Sequence, residues 1–171
     1  GVLLQTDLKW NSHVDNMVRN ANGRMYMLRT LKPFQLPWKD LLCVYTGYVR
    51  PLVEYAAPVW HPGLTNQQNA QIERIQKRAL KIVLGSLYVT YENALQMTNV
   101  QTLDNRRREL CKRFAKSLIN SPQFRDWLPR PRNNRYSQSL RRVAPYPAIR
   151  CRTDRYKRSP IPFLVDLLND M

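Results

Sequence analysis

Acidic residues are scarce in this chain. Over 171 residues, 12 Asp and Glu stand against 28 Lys and Arg. No two Asp are adjacent, which removes the simplest sequence sign of the converging carboxylates that a two-metal nucleotidyl-transfer site requires. The acids that remain are scattered among cations, where they suit ion pairs and helix caps. Glycine is equally sparse, at 5 residues, and no Gly-rich phosphate loop or dinucleotide fingerprint can be drawn from it. The three cysteines, Cys43, Cys111 and Cys151, and the two histidines, His13 and His61, are far apart and lack the clustered spacing of a metal site. An odd number of dispersed cysteines suits free thiols in a reducing, intracellular compartment, nucleus or cytoplasm alike. No Ser-His-Asp arrangement stands out. No apolar run approaches the ~18 residues of a membrane span. No charged leader precedes the opening GVLL, so no signal peptide is expected. No catalytic residue, metal ligand, cofactor or membrane partner is therefore expected of this chain.

What is present is positive charge. The formal net charge is +16, and such a surface favours a polyanion through steering and counterion release. Nucleic acid is the expected partner. An anionic membrane surface and a merely solvated basic face are the alternatives.

The apolar pattern is mostly helical. Residues 1–10 read as a short strand, Val2 to Leu4, leading to a turn at Gln5-Thr6-Asp7. Ser12 and Asp15 suggest a capping-box variant at the start of a first helix. Its face is Val14, Met17, Val18, Ala21, Met25, Leu28 and Leu31. Gly23 weakens that helix by about 1 kcal/mol relative to Ala, and Lys32-Pro33 ends it. A second helix starts near Pro37. Its apolar positions, from Leu41 to Val49, cover more than half its circumference, so it is expected to be central. Pro51 should kink it, with helix resuming over 52–60 as far as Pro58. Thr65 caps a third helix and Gly85 ends it, with Ile72, Ile75, Ala79, Ile82 and Val83 as its stripe. A short helix over Tyr91–Met97 follows. Thr102 caps another, with a stripe of Leu103, Leu110, Cys111, Phe114 and Leu118, and Pro122 follows its end. Beyond Pro122 periodicity is lost. Arg130 to Arg158 holds ten cations, one acid (Asp154) and several prolines. It reads as an extended basic arm, with Ile161 to Leu168 as an apolar patch that docks back.

Three basic constellations follow. The third helix places Arg74, Lys77, Arg78 and Lys81 off its apolar stripe. The fifth carries Arg106, Arg107, Arg108, Lys112, Arg113 and Lys116, whose adjacent arginines repel one another without an anion. Both can clamp phosphates, and both are also what a solvated helix face looks like. In the arm, Tyr136, Tyr146 and Tyr156 lie among cations, a pattern that stacks unpaired bases or simply anchors the arm. Tyr55, Trp60, His61 and Pro62 form an aromatic-proline knot suited to packing. Trp10, Trp38 and Trp127 suit core or rim positions, and His13 suits a solvated first turn.

Three segments carry a family resemblance: GVLLQTDLKWNSHVDNMVRNANGRMYMLRTL at Gly1–Leu31, RPLVEYAAPVWHP at Arg50–Pro62, and Ile72–Ile82. They resemble the region after the polymerase palm in reverse transcriptases of non-LTR retrotransposons (LINE-type, jockey-like elements). The opening is similar to the family's segment that follows the palm, and the helices would correspond to the thumb and beyond. The run Arg150-Cys151-Arg152-Thr153-Asp154-Arg155-Tyr156-Lys157 also has a counterpart in relatives. In that family the catalytic Asp-Asp motif lies upstream. The resemblance thus implies that RNA-directed DNA polymerase activity and its Mg2+ belong to a parent protein, and no catalytic residue transfers here. The zinc knuckle of some relatives is missing from these residues.

The expectation is a mainly α chain. Residues 1–121 would be a helical thumb-like bundle, with 1–10 a residual palm strand, and 122–171 a basic, Pro-rich arm. It would grip template RNA, primer DNA or their hybrid, alongside the rest of a parent polymerase. The proposed contacts are Arg74, Lys77, Arg78, Lys81, Arg106, Arg107, Arg108, Lys112, Arg150, Arg152, Arg155 and Lys157. A freestanding or domesticated RNA-binding module, and a decayed element fragment without function, are the alternatives.

Overall fold

The computed structural model describes residues 1–132 and 144–170. These are mainly helical: α1 (Asn11–Leu31), α2 (Trp38–Val44), α3 (Ala57–Trp60), α4 (Asn66–Leu84), α5 (Tyr91–Thr98), α6 (Leu103–Asn120), α7 (Asp154–Lys157) and α8 (Pro160–Asn169). The chain forms two compact units. One comprises Gly1–Ala57 with Leu64–Arg107, the other Pro58–Gly63 with Arg108 onward. The division falls inside α6 rather than at 121/122, because the inward stripe of that helix serves both units. Leu103 and Arg107 are buried in the first. Cys111, Ala115 and Leu118 belong to the core of the second.

In the first unit α1 packs on α4. Val14, Met17, Ala21, Met25 and Leu28 are buried, as the three- and four-residue steps predict. The strand expected at Val2–Leu4 is not formed, and no strand occurs among the described residues. Three residues without a neighbouring strand cannot satisfy their backbone groups as a ladder. The Leu3 N–H donates to His13 Nδ1 instead (3.3 Å). The Ser12 capping box is also not formed. α1 starts at Asn11 behind Trp10, without a side-chain cap, and the Ser12 N–H donates to Gln5 Oε1 (3.1 Å). His13, expected to be solvated, is buried.

α2 begins after Pro37 and runs into a π turn, Tyr45–Val49, then a 3-10 turn, Arg50–Val53, that accommodates Pro51. The wider π turn rotates Tyr48 outward, so the helix is less enclosed than its apolar residues suggest. The Arg24 guanidinium lies 4.6 Å from the Tyr48 ring centre and donates to the Tyr48 carbonyl (2.9 Å). Helix does not resume at Leu52. Ala56 takes a left-handed φ of 51°, and α3 covers only Ala57–Trp60, with Pro58 inside it.

The second unit has its own core: Cys111, Ala115, Leu118 and Leu128 with Leu164, Val165, Leu167 and Leu168 of α8. Each fully buried Leu or Val contributes about 1.5–3 kcal/mol. The apolar patch at Ile161–Leu168 is therefore a structural helix, started by Pro160 at its first turn. Asn169 ties the chain back to it. Its Oδ1 accepts from the Tyr146 N–H (2.9 Å), and its Nδ2 donates to the Tyr146 carbonyl (3.2 Å). The described part of the basic arm is thus packed rather than free. Tyr146 is one of its anchors, packed against the core. Tyr136 lies outside the described residues. The knot at Trp60–His61 packs as expected: both are buried, and His61 meets Phe163 edge to face at 5.8 Å. Tyr55, by contrast, is exposed.

Candidate nucleic-acid interface

The register of α4 is fixed at both ends. Thr65 Oγ1 accepts from the Gln68 N–H (3.2 Å), and Gln68 Oε1 accepts from the Thr65 N–H (2.9 Å). This reciprocal box satisfies two backbone donors. Gln68 Nε2 also donates to Asn11 Oδ1 (2.8 Å), joining the starts of α4 and α1. At the other end Gly85 adopts φ 58°, a conformation glycine takes without steric penalty. The Lys32 ammonium donates to the Val83 carbonyl (2.9 Å). A cation at that end also complements the helix dipole.

Between these ends Ile72, Ile75, Gln76, Ala79, Leu80 and Val83 face inward. Ile82 is only half-buried. Gln76 is fully enclosed yet satisfied. Its Oε1 accepts from the Tyr45 hydroxyl (2.8 Å), and its Nε2 donates to the Tyr91 hydroxyl (2.9 Å) and the Gln101 carbonyl (2.8 Å). Tyr91 in turn donates to the Glu73 carboxylate, which also accepts the Leu103 N–H (3.1 Å). Burial, reinforced by the Glu73 bond, holds the Tyr91 phenol far above its ordinary range. Burial does the same for Tyr45. Both remain protonated donors, and the network locks α4 to its neighbours.

Arg74, Lys77, Arg78 and Lys81 occupy the opposite side. They are spaced three, one and three residues apart, so they line one stripe of the helix, and all four are exposed. None is ion-paired with a described carboxylate. Their contacts are light. Lys77 Nζ sits 4.9 Å from the Tyr91 ring centre, Lys81 Nζ 5.4 Å from that of Tyr88, and Arg78 Nη1 reaches Asn22 Oδ1 at 3.5 Å. The rings hold the ammonium groups in place without neutralising them.

The α6 cluster differs. Arg107 is fully buried. Its Nη2 donates to Asn69 Oδ1 (2.9 Å) and lies 3.7 Å from Asp104 Oδ1. It cannot meet a phosphate, and the expectation for it is corrected: the inward stripe of α6 passes through position 107. Arg106 and Arg50 both pair with Glu54 Oε1, at 3.2 and 3.1 Å. Lys112 pairs with Glu109 (3.1 Å), and Arg108 with Asp170 (3.7 Å), that pair being half-exposed. Arg150, Arg152, Arg155 and Lys157 are exposed. Thr153 orders the last of them by capping α7, accepting from the Tyr156 N–H (3.2 Å).

No group of three or more His, Cys, Asp or Glu able to hold a metal ion occurs among the described residues. No described helix is long and apolar enough to cross a membrane. No family model, curated protein or solved structure matches the chain.

Proposed function

We propose that this chain is a non-catalytic, nucleic-acid-gripping part of a reverse transcriptase of the LINE type, corresponding to the thumb and the region beyond it. The observation that supports this most directly is the α4 stripe. Arg74, Lys77, Arg78 and Lys81 are exposed together, opposite a locked core face, with no carboxylate partner among the described residues. A rigid row of cations along a helix meets successive phosphates of a backbone without reading bases. Such binding is weakly sequence-specific and strongly salt-dependent. With about five phosphate contacts, log K falls against log[salt] with a slope near −4.

The test is a salt titration of the purified chain on a labelled RNA–DNA hybrid, with circular dichroism on the same sample. Replacing the four α4 cations by Gln should reduce the steepness of that slope by about 3, with helical signal unchanged. A slope that survives the fourfold change, or an affinity indifferent to salt in the wild type, would remove this interface.

A further inference from the structure

The second unit carries a groove of about 540 Å³ that the backbone-gripping stripe does not explain. Phe114, Trp127 and Tyr156 stand in its wall, with Val59, Ile161 and Leu164 among the other lining residues. The three rings come from three separate elements: α6, the 3-10 turn Pro122–Trp127, and α7. Trp127 is 54% exposed and Tyr156 47%, unusual openness for rings that line a concavity. Trp127 is braced edge to face by Phe124, with ring centres 4.9 Å apart. Ser159, the Tyr156 hydroxyl and the Trp127 indole N–H are the polar side-chain groups of the lining residues.

The elements that supply the rings also supply charge. Arg113 and Lys116 flank Phe114 on α6, while Arg152, Lys157 and Arg158 flank Tyr156. All five are exposed, and none is ion-paired with a described carboxylate. Within the second unit the acids on these elements and on α8 are fewer: Asp126, Asp154, Asp166, and Glu109, which already holds Lys112. An occupant must bring flat apolar faces to the rings, and the exposed cations on the same elements favour one that also carries negative charge. A paired duplex offers the second but hides the first. An unpaired nucleotide chain offers both, because its bases are free to stack while its phosphates track the cations.

The geometry points to this groove as a stacking site for unpaired nucleotides. It is an assignment that rests on the nucleic-acid reading above and gives the second unit the single-stranded part of the ligand. Tyr156 thereby takes the stacking role and Tyr146 the anchoring role.

The experiment compares a single-stranded RNA oligonucleotide with a blunt-ended RNA–DNA hybrid on the full chain. Trp127→Ala should weaken the single strand about tenfold and leave the hybrid unchanged. Trp127→Phe should keep most of the wild-type affinity. An oligonucleotide carrying 5-iodouridine, which photo-cross-links to stacked rings, should couple to Trp127 or Tyr156 in the unmutated chain. If the hybrid binds normally while Trp127→Ala keeps full single-strand affinity and the cross-link maps elsewhere, the groove assignment is overturned and the α4 interface stands. If neither nucleic acid binds, both fall. An acidic, leucine-rich peptide that quenches Trp127 where the oligonucleotide does not would also overturn it, giving the groove to a protein partner.

Discussion

On α4 the cations sit at 74, 77, 78 and 81, while at the start of α6 they sit at 106, 107 and 108. The first set steps at helical intervals opposite a buried stripe, so every member faces solvent. The second set is contiguous, so it spreads over about 200° of helix, and its middle member falls on the inward face. Arg107 falls on that face and is enclosed by the fold. Arg106 lands beside Glu54 and Arg108 beside Asp170. Density of charge is therefore a poor guide to availability. Phase relative to the apolar stripe is the better one, since it decides whether a guanidinium meets water or must find a partner inside.

The largest effect that would break this comparison comes from Arg107. If it is a structural cation, Arg107→Ala should lower the stability of the folded chain by about 3 kcal/mol, because it removes buried volume and strips Asn69 and Asp104 of their partner. Lys77→Ala on α4 should cost no more than about 0.5 kcal/mol. Urea unfolding followed by circular dichroism gives both values. The same Arg107 variant, where folded, should keep the wild-type salt slope on the hybrid. A stable Arg107→Ala chain with a shallower slope would place this residue on the nucleic acid after all.

A smaller effect sharpens the α4 side. The buried face sets the phase of the stripe, and Thr65 sets where the helix carrying it starts. Thr65→Ala removes the acceptor for the Gln68 N–H and should cost about 1 kcal/mol. Amide exchange should accelerate in the first turn of α4 and remain slow near Val83, where Lys32 and Gly85 hold the other end. Uniform acceleration along the helix would mean that the cap's effect is not confined to the start of α4.

Much of this fold was legible because its helices begin and end on residues with one local job. Thr65 and Thr102 each accept an N–H three residues on, and Gly85 ends α4 in a conformation that suits glycine. These signals need no knowledge of the rest of the chain. What was hidden depends on distant partners. Gln76 interrupts an apolar stripe, and only Tyr45, Tyr91 and Gln101, 15 to 31 residues away, explain why it is buried. Arg107 is the same case, its acceptor Asn69 lying 38 residues back. Val2–Leu4 has a strand's composition but no strand to pair with. α8 was obscured by Pro160 and Pro162, which look like breakers. In the first turn of a helix they cost nothing, since those N–H groups have no partner inside the helix anyway. The α4 half of the candidate interface was readable from spacing. The groove in the second unit was not, because its three rings come from elements separated by irregular chain.

The smallest effect concerns how α1 is held beneath this architecture. His13 Nδ1 accepts the Leu3 N–H, so the folded chain holds the imidazole with that nitrogen unprotonated. Burial pushes its pKa below the ordinary value. In the unfolded chain the same imidazole takes a proton near pH 6.5. The unfolded state therefore binds more protons below that point. The contribution of His13 to stability is complete above about pH 6.5, and it declines as the pH falls towards the folded value. Protonation would also turn the acceptor of Leu3 into a donor facing a donor. A His13→Gln chain lacks this titration, while His61 is present in both chains. The difference between their urea midpoints at about pH 7.5 and about pH 5 isolates the one imidazole. The wild type should lose more on acidification. Equal losses would mean that the contact between Leu3 and His13 does not hold the start of α1 in solution.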